Sequence, residues 1–270
     1  MTIIAHNIGG LCNRIKNIIS CFRLTDDVLV YWKQIDKYDS KNYHLFICDY
    51  YKLFSFPFLI QNLDKEYDCY KDSKLIIKKS DKLPINFSQF NSKCSKKYKL
   101  TDKYKRNIDF EYERIPNNVK ETYIYLFKNK LILNPYIKNK IDIFFDKYMK
   151  NKKLCGVHIR SWKRDNEEYR QHLHKLDKFE KEIQTKIKSY SVFVSCDNEE
   201  ILKYLKEKYK IIVYNRDTDL SSSRLNSEGI QEDLIELYLL SKCQTLIGSH
   251  FSSFSEVAWY LSGCVSIKII

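Results

Sequence analysis

The feature that most constrains the fold is a regular alternation of apolar strands and amphipathic helices over the second half of the chain. Strands are predicted at 154–159, 192–195, 211–214, 246–248 and 265–270, and helices at 199–209, 230–243 and 254–261. This alternation predicts a parallel sheet with helices on both faces. Ligands bind such sheets in the crevice beyond the carboxyl ends of the strands. The loops after Ile159, Ser195 and Gly248 are therefore expected to surround one site.

The start of the chain has a similar pattern. A short strand at 2–5 leads through the turn Gly9-Gly10 into a helix at 11–24, and a second strand follows at 28–31. From residue 33 to about residue 120 the periodicity is weak, which predicts loops and small elements. The fold class predicted from the whole pattern is α/β, with two Rossmann-like domains facing each other across a cleft. The predicted domains are 1–150 and 151–270.

Composition limits the classes of partner and compartment. The formal net charge is +13, but the lysines are spread along the chain and no helix-turn-helix, zinc or RNP signature accompanies them. A basic surface favours acidic partners in general, and a nucleotide diphosphate is one. We therefore expect no nucleic-acid partner, although a basic nucleic-acid binder stays open as an alternative.

The cysteines and the apolar runs predict the cellular compartment and whether the chain crosses a membrane. Nine cysteines are scattered without a C-x-x-C pair. Their odd number and the absence of a signal peptide at the amino terminus predict a reducing, cytoplasmic location. Since no apolar run approaches the length of a membrane span, no membrane segment is expected.

The segment Gly156-Val157-His158-Ile159-Arg160 is the first candidate site. Side chains alternate along a strand, so His158 and Arg160 should lie on the same side of the sheet. An arginine fixed at a strand end can bind a diphosphate through two hydrogen bonds and neutralise its growing negative charge. His158 can pair with a base edge, a ribose hydroxyl or a phosphate. The alternative is structural: Arg160 pairs with a surface carboxylate and His158 is a satisfied interior histidine.

Three further segments carry weaker signals. Four serines lie between Gly248 and Ser255, where a strand passes into a helix, and a helix amino terminus with hydroxyl groups is an anion site. A plain helix N-cap would need only one of them. The turn at Gly9-Gly10 matches neither the dinucleotide nor the Walker pattern. Asp197 follows a strand and could either contact a nucleobase or cap the next helix.

Taken in order, these segments resemble a known family. The sequence has Gly-Gly-Leu-x-Asn-Arg near its start, Gly-Val-His-Ile-Arg in the middle and Phe-Val-Ser-x-Asp downstream. Near the end it has Asp233-Leu234, Leu239-Leu240-Ser241-Lys242-Cys243, Ile247-Gly248-Ser249 and Ser252-Ser253-Phe254-Ser255. The ordered set is similar to the fucosyltransferase superfamily, and residues 33–120 are largely unmatched.

This resemblance implies a GT-B fold and an inverting, metal-independent glycosyltransferase. The donor would be a GDP-sugar, most often GDP-fucose, the acceptor a glycan or glycoprotein, and no cofactor or metal would be required. The implied roles, by position in this sequence, are Arg160 on the β-phosphate, His158 and Asp197 on guanosine, and Gly10, Asn13 and Arg14 facing the donor from the first domain. Ser252, Ser253, Phe254 and Ser255 would hold the phosphates, and Asp233 would support the site. Arg164 and Glu168 stand at the spacings of assisting catalytic residues, with Glu168 as the candidate base and Asp165 and Glu167 behind it.

The sequence departs from the family pattern directly after Arg160. Relatives usually continue with a second arginine and an aspartate, whereas Ser161 and Lys163 occupy those positions here. A transferase using another nucleotide sugar, or a nucleotide- or glycan-binding module without catalysis, therefore stays open. Asp217-Thr218-Asp219 mimics the metal-binding D-x-D motif of other transferases, but it lies in a polar stretch and is interpreted as a loop.

Overall fold

The computed structural model describes residues 2–37, 45–61, 68–72, 75–78, 90–91, 104–108, 115, 117–162 and 174–270. Within these ranges the chain forms seven α-helices: α1 Leu11–Phe22, α2 Asn117–Asn129, α3 Pro135–Tyr148, α4 Leu176–Lys186, α5 Glu199–Lys208, α6 Ser227–Ser241 and α7 Ser253–Leu261. Two 3₁₀ helices cover Tyr50–Lys52 and Leu220–Leu225.

The same ranges contain thirteen strands. They are β1 Ile3–Ala5, β2 Val28–Tyr31, β3 Phe54–Phe56, β4 Leu59–Ile60, β5 Asp68–Tyr70, β6 Leu75–Lys78, β7 Phe90–Asn91, β8 Tyr104–Ile108, β9 Ile132–Leu133, β10 Leu154–Ile159, β11 Ser191–Cys196, β12 Thr245–Gly248 and β13 Ser266–Ile269.

Two parallel four-stranded sheets organise the molecule. The first has the strand order β4-β2-β1-β5, and the second has the order β11-β10-β12-β13. In the second sheet Ile159 is paired with Cys196 and Gly156 with Leu246, so the carboxyl ends of β10, β11 and β12 lie side by side. Two small antiparallel sheets, β3-β9 and β6-β8-β7, complete the described fold.

The central strands β10, β11 and β12 of the second sheet are covered on both faces, as their mostly apolar sequences predict. Cys155, Val157 and Ile159 pack into one hydrophobic cluster with residues of α4 and α5. Leu154 belongs to the other cluster, which also contains residues of α1, α6, α7 and the first sheet. This second cluster therefore joins the two halves of the chain.

Most elements of the second half are confirmed within three residues of the predicted bounds. The predicted strand at 211–214 is the exception, because only a single bridge between Phe193 and Ile212 forms there. Ile212 exchanges backbone hydrogen bonds with Val192 and Val194, and the chain then leaves the sheet edge toward Arg216. Across the described residues, no helix is both long and apolar enough to traverse a bilayer.

Candidate functional site

Arg160 lies where the structure brings the strand ends of the second sheet together. Its Nη1 donates a hydrogen bond to Oδ2 of Asp197 at 2.5 Å, and the two side chains are only 10% and 9% exposed. The other carboxylate oxygen of Asp197 accepts a hydrogen bond from the Ser161 N–H at 2.7 Å. Since β10 and β11 are parallel neighbours, residues 160 and 197 directly follow paired strand ends. Arg160 is thus held by a carboxylate of the same site rather than by a surface residue, and its role toward a phosphate stays a prediction.

A serine network connects β10, β12 and α7 beside Arg160. Ser249 Oγ donates to the His158 carbonyl at 3.0 Å and accepts from the Arg160 N–H at 2.8 Å. Ser255 Oγ accepts from the Ser249 N–H at 3.0 Å. A Cβ atom at Gly248 would come within 2.9 Å of the Ser255 side chain, so this approach requires glycine. Ser249 and Ser255 therefore have a structural role in fixing the strand ends.

The other serines lie at the amino terminus of α7. Ser252 is buried at the N-cap position, but its side chain makes no capping hydrogen bond. Ser253 and Phe254, the first two residues of the helix, are half-buried. The first N–H groups of a helix have no intrahelical acceptor, and the helix dipole is positive at this end. Of the four predicted phosphate-binding residues, Ser255 thus connects α7 to β12 by a hydrogen bond, while Ser252, Ser253 and Phe254 lie at the amino terminus of α7.

His158 is a neutral, enclosed histidine. Its Nδ1 is hydrogen-bonded to Ser255 Oγ at 2.8 Å, and its ring stacks on Phe254 with a centroid distance of 4.7 Å. Burial lowers the pKa of His158 to about 4, more than the nearby carboxylate of Asp197 raises it. These contacts agree with the interior histidine that the sequence left open, and contact with guanosine stays a prediction.

The Gly9-Gly10 turn faces the second half of the chain. Gly10 is the N-cap of α1, and a Cβ atom there would have Arg224 Nη2 as its nearest neighbour, at 4.0 Å. The half-buried Asn13 follows in the first turn of α1. Further along, the buried pair Lys16–Glu256 joins α1 to α7 at 2.6 Å. The second turn of α1 is therefore held against the first turn of α7.

Arg14 is buried in the first half of the chain rather than exposed at a surface where a sugar donor could bind. It is 1% exposed, and its guanidinium lies 4.7 Å from the Trp32 ring centroid and 4.2 Å from that of Phe46. Nε donates to the Gly9 carbonyl at 2.7 Å, while Nη1 and Nη2 have no hydrogen-bond partner among the residues that the structure describes. Burial lowers the pKa of Arg14 to about 9. Its contacts are thus internal to the first half, and its predicted approach to a donor stays a prediction.

Sequence reasoning named Asp233 as a supporting residue but missed the rest of its cluster, which centres on Arg216. Its Nη1 lies 2.9 Å from both Asp233 and Glu236, and its Nε is 3.4 Å from Glu232. Glu236 also accepts a hydrogen bond from Ser195, and its pKa is raised because burial outweighs the attraction of Arg216. The carboxylates of Glu232, Asp233 and Glu236 within one helix were the available signal, but their partner Arg216 lies outside that helix.

Two sequence predictions remain to be placed. Arg164 and Glu168, together with Asp165 and Glu167, lie outside the described residues. In the D-x-D mimic, the Asp217 N–H donates to Glu232 at 2.6 Å, and the segment lines a cavity of about 580 Å³ beside α5. Among the described residues no group of three or more His, Cys, Asp or Glu side chains is arranged to hold a metal ion.

Comparison with known proteins identifies the fold. No protein-family model matches the chain, and no curated protein matches it by sequence. Among solved structures, NodZ α-1,6-fucosyltransferase soaked with GDP-fucose has a TM-score of 0.53 at 16% identity, covering 96% of this chain and 92% of that one. NodZ from Bradyrhizobium gives a TM-score of 0.51 at 16% identity, with coverages of 95% and 91%.

A plant enzyme gives a similar result. A mutant of Arabidopsis thaliana FUT1 in complex with GDP has a TM-score of 0.52 at 16% identity, covering 99% of this chain and 69% of that one. The resemblance to the fucosyltransferase superfamily is thus confirmed at the level of the fold. The chain has an α/β, GT-B-like fold of two Rossmann-like domains facing across a cleft, shared with NodZ and plant fucosyltransferases.

Proposed function

We propose that this protein is an inverting, metal-independent glycosyltransferase that transfers fucose from GDP-fucose to a hydroxyl group of a glycan or glycoprotein. The observation that carries the proposal is the position of Arg160. Asp197 holds it at the carboxyl edge of the second sheet, and hydrogen bonds through Ser249 and Ser255 link it to the first turn of α7. A guanidinium and a helix amino terminus together form a site for a diphosphate. The structures of similar fold were solved with GDP-fucose in NodZ and with GDP in Arabidopsis FUT1.

The proposed reaction is a direct displacement at the anomeric carbon. The acceptor oxygen forms a bond to this carbon as the bond to the β-phosphate oxygen breaks, and the anomeric configuration inverts. Arg160 and the N–H groups of α7 stabilise the negative charge that develops on the departing diphosphate. A carboxylate accepts the proton of the acceptor hydroxyl, and Glu168, assisted by Arg164, is our candidate.

Asp197 and the serines have supporting roles in this scheme. Because both oxygens of Asp197 are engaged, by Arg160 and by the Ser161 N–H, we propose that it positions the guanidinium. Ser249 and Ser255 keep the strand ends and α7 in register. Ser252 and Ser253 are the proposed phosphate ligands, while His158, Asn13 and Gly10 complete the nucleotide-sugar site.

The same proposal assigns a role to each half of the chain and a cellular location. Residues 151–270 would bind the nucleotide sugar and residues 1–150 the acceptor. A cytoplasmic location is favoured because an odd number of cysteines, scattered without a C-x-x-C pair, is typical of a reducing compartment.

The test is a turnover screen of GDP-, UDP- and CMP-sugars, with and without a chelator, on wild type and Arg160→Ala. We expect chelator-resistant hydrolysis or transfer from GDP-fucose that is reduced about 100-fold or more in the variant. Turnover of another GDP-sugar would keep the mechanism and change the donor. Loss of turnover with chelator would overturn the metal-free step.

The non-catalytic alternative makes a different prediction. A binding module would be stabilised by a nucleotide or a glycan without hydrolysing any donor, and the altered segment after Arg160 is the feature that favours it. Hydrolysis of a donor in the absence of acceptor counts against this alternative.

A further inference from the structure

A second cavity, separate from the strand ends around Arg160, lies on the first half of the chain. It has a volume of about 520 Å³ and is lined by Trp32 and Gln34 after β2, by the 3₁₀ helix Tyr50–Lys52, by the start of α3 and by Gln231 of α6. This volume is within the usual range of small-molecule sites. We call it the aromatic pocket.

The lining of the aromatic pocket matches the surface of a neutral sugar ring. Four aromatic side chains line it, and two of them, Tyr51 and Tyr136, are 48% and 53% exposed. Three side-chain amides, Leu59 and one charge of each sign, Asp49 and Lys52, complete it. A pyranose presents an apolar C–H face and a rim of hydroxyls, which aromatic faces and amides complement. Because the two charges balance, a neutral ligand is favoured over an acidic one.

Hydrogen bonds fix the walls of the pocket before any ligand binds. Asn134 Nδ2 donates to the Tyr51 carbonyl at 2.6 Å, and its Oδ1 accepts from the Tyr136 N–H at 2.9 Å. Gln231 Nε2 donates to the Lys52 carbonyl at 3.0 Å. Gln34 Nε2 donates to Asp49 at 2.5 Å. The carbonyl oxygens of both glutamine side chains make no hydrogen bond with the described residues, and so can accept one from a ligand.

Tyr50 supplies an independent indication of a ligand. It lines the pocket and is 1% exposed, yet its hydroxyl has no hydrogen-bond partner among the residues that the structure describes. Buried hydroxyl groups are nearly always paired, so one without a partner needs an explanation. Burial raises the pKa of Tyr50, which keeps the group protonated and able to donate. A ligand hydroxyl in the pocket would satisfy it.

The pocket is linked to the turn that faces the second half. Trp32 follows β2, the parallel neighbour of β1, and Gly9-Gly10 follows β1. Arg14 connects them, since its guanidinium lies over Trp32 and its Nε donates to the Gly9 carbonyl. Both features therefore lie at the carboxyl edge of the first sheet, the edge at which such sheets bind ligands.

We propose that the aromatic pocket binds a neutral pyranose residue of the acceptor glycan. The sugar ring stacks on Tyr51 or Tyr136, and its hydroxyls pair with Tyr50, Gln34 and Gln231. This assignment rests on the proposed function, because it treats the glycan as the acceptor of the transfer.

Two variants and one control test the pocket. Tyr136→Ala removes an exposed ring, and Tyr125→Ala is its control, since Tyr125 is a 57% exposed helical tyrosine outside the pocket. Tyr50→Phe removes only the unpartnered hydroxyl. The probes are neutral oligosaccharides ending in glucose, galactose or N-acetylglucosamine, assayed for transfer and, without donor, for saturation-transfer NMR signals.

We expect both pocket variants to raise the KM for the acceptor about tenfold while the KM for the donor changes less than twofold. Tyr50→Phe should leave the Tm unchanged or raise it, and Tyr125→Ala should behave as wild type. An unchanged acceptor KM in both variants, or no NMR signal with any probe in wild type, would overturn the assignment.

The NMR signal separates this proposal from the proposed function. If wild type binds an oligosaccharide and Tyr136→Ala does not, while no GDP-sugar is turned over, the pocket stands as a glycan site and the transferase function fails.

Discussion

Replacing Lys16 with methionine is expected to destabilise the protein strongly, because it breaks a buried ion pair between α1 and α7. Lys16 Nζ lies 2.6 Å from Glu256 Oε2, and the two side chains are 1% and 0% exposed. Removing one member of such a pair leaves a buried charge without compensation and costs about 3–5 kcal/mol. For a chain of this size each kcal/mol lowers Tm by about 2–4 °C, so we expect a fall of roughly 10 °C.

The double variant Lys16→Met/Glu256→Leu should recover most of that loss. Replacing both charges by apolar residues of similar volume is often neutral or stabilising. Urea and thermal unfolding of wild type, the two single variants and the double variant give the coupling energy. The exposed pair Lys138–Asp142 is the control, where Lys138→Met should cost less than about 1 kcal/mol. A small effect of Lys16→Met, or a double variant as unstable as the sum of the singles, would refute the reasoning.

Three further predictions follow from the structure. Burial lowers the pKa of His158 from 6.5 to about 4, so between these pH values the unfolded chain takes up a proton that the folded chain does not. The free energy of unfolding should therefore be unaffected by His158 above pH 6.5 and fall by about 3 kcal/mol toward pH 4. His158→Gln should reduce this loss, as measured by urea unfolding. Gly248→Ala should lower the stability by about 1–3 kcal/mol, because the added Cβ atom would displace Ser255. Gly10→Ala should cost less than about 1 kcal/mol, because the nearest atom to its added Cβ atom lies 4.0 Å away. Equal Tm values of the two variants would contradict this prediction. All nine cysteines should titrate as thiols in denaturant without reductant, and in the folded protein Cys12, Cys21 and Cys243 should react slowest, because burial raises the pKa of each.

Most strands and helices of the second half could be predicted because each of them carries its own signal, whereas α4 was not predicted. β10 is buried at every position and its sequence is apolar except for His158, and α5 keeps its apolar residues on one face. In the first half β1, α1 and β2 carry such signals, but the periodicity after β2 is weak. β3 pairs with β9, with Phe54 opposite Leu133, and this contact between distant short segments leaves no local pattern.

In the candidate site, too, some residues could be predicted from the sequence and others could not. Arg160 and Asp197 directly follow predicted strands. His158 lies within one of these strands and Ser255 within the predicted helix after β12, and the topology alone brings the four residues together. The direction of a single side chain is not encoded locally, so Arg14 could be predicted on α1 but its burial between Trp32 and Phe46 could not. Arg216 was missed for a similar reason, since its carboxylate partners come from the following helix through tertiary packing.

The measurement that tests the central claim most directly is calorimetric titration of GDP into wild type, Arg160→Ala, the double variant Arg160→Ala/Asp197→Asn and the exposed control Lys138→Ala. The double variant avoids leaving the Asp197 carboxylate charged without the guanidinium opposite it, so any loss of binding reports the missing guanidinium. Hydrogen bonds to charged groups contribute about 1.5–3 kcal/mol, so we expect GDP to bind wild type and the control equally and both Arg160 variants about 10- to 100-fold more weakly. Equal GDP affinity in all four proteins, or no GDP binding by wild type, would contradict the assignment of this site to the nucleotide diphosphate.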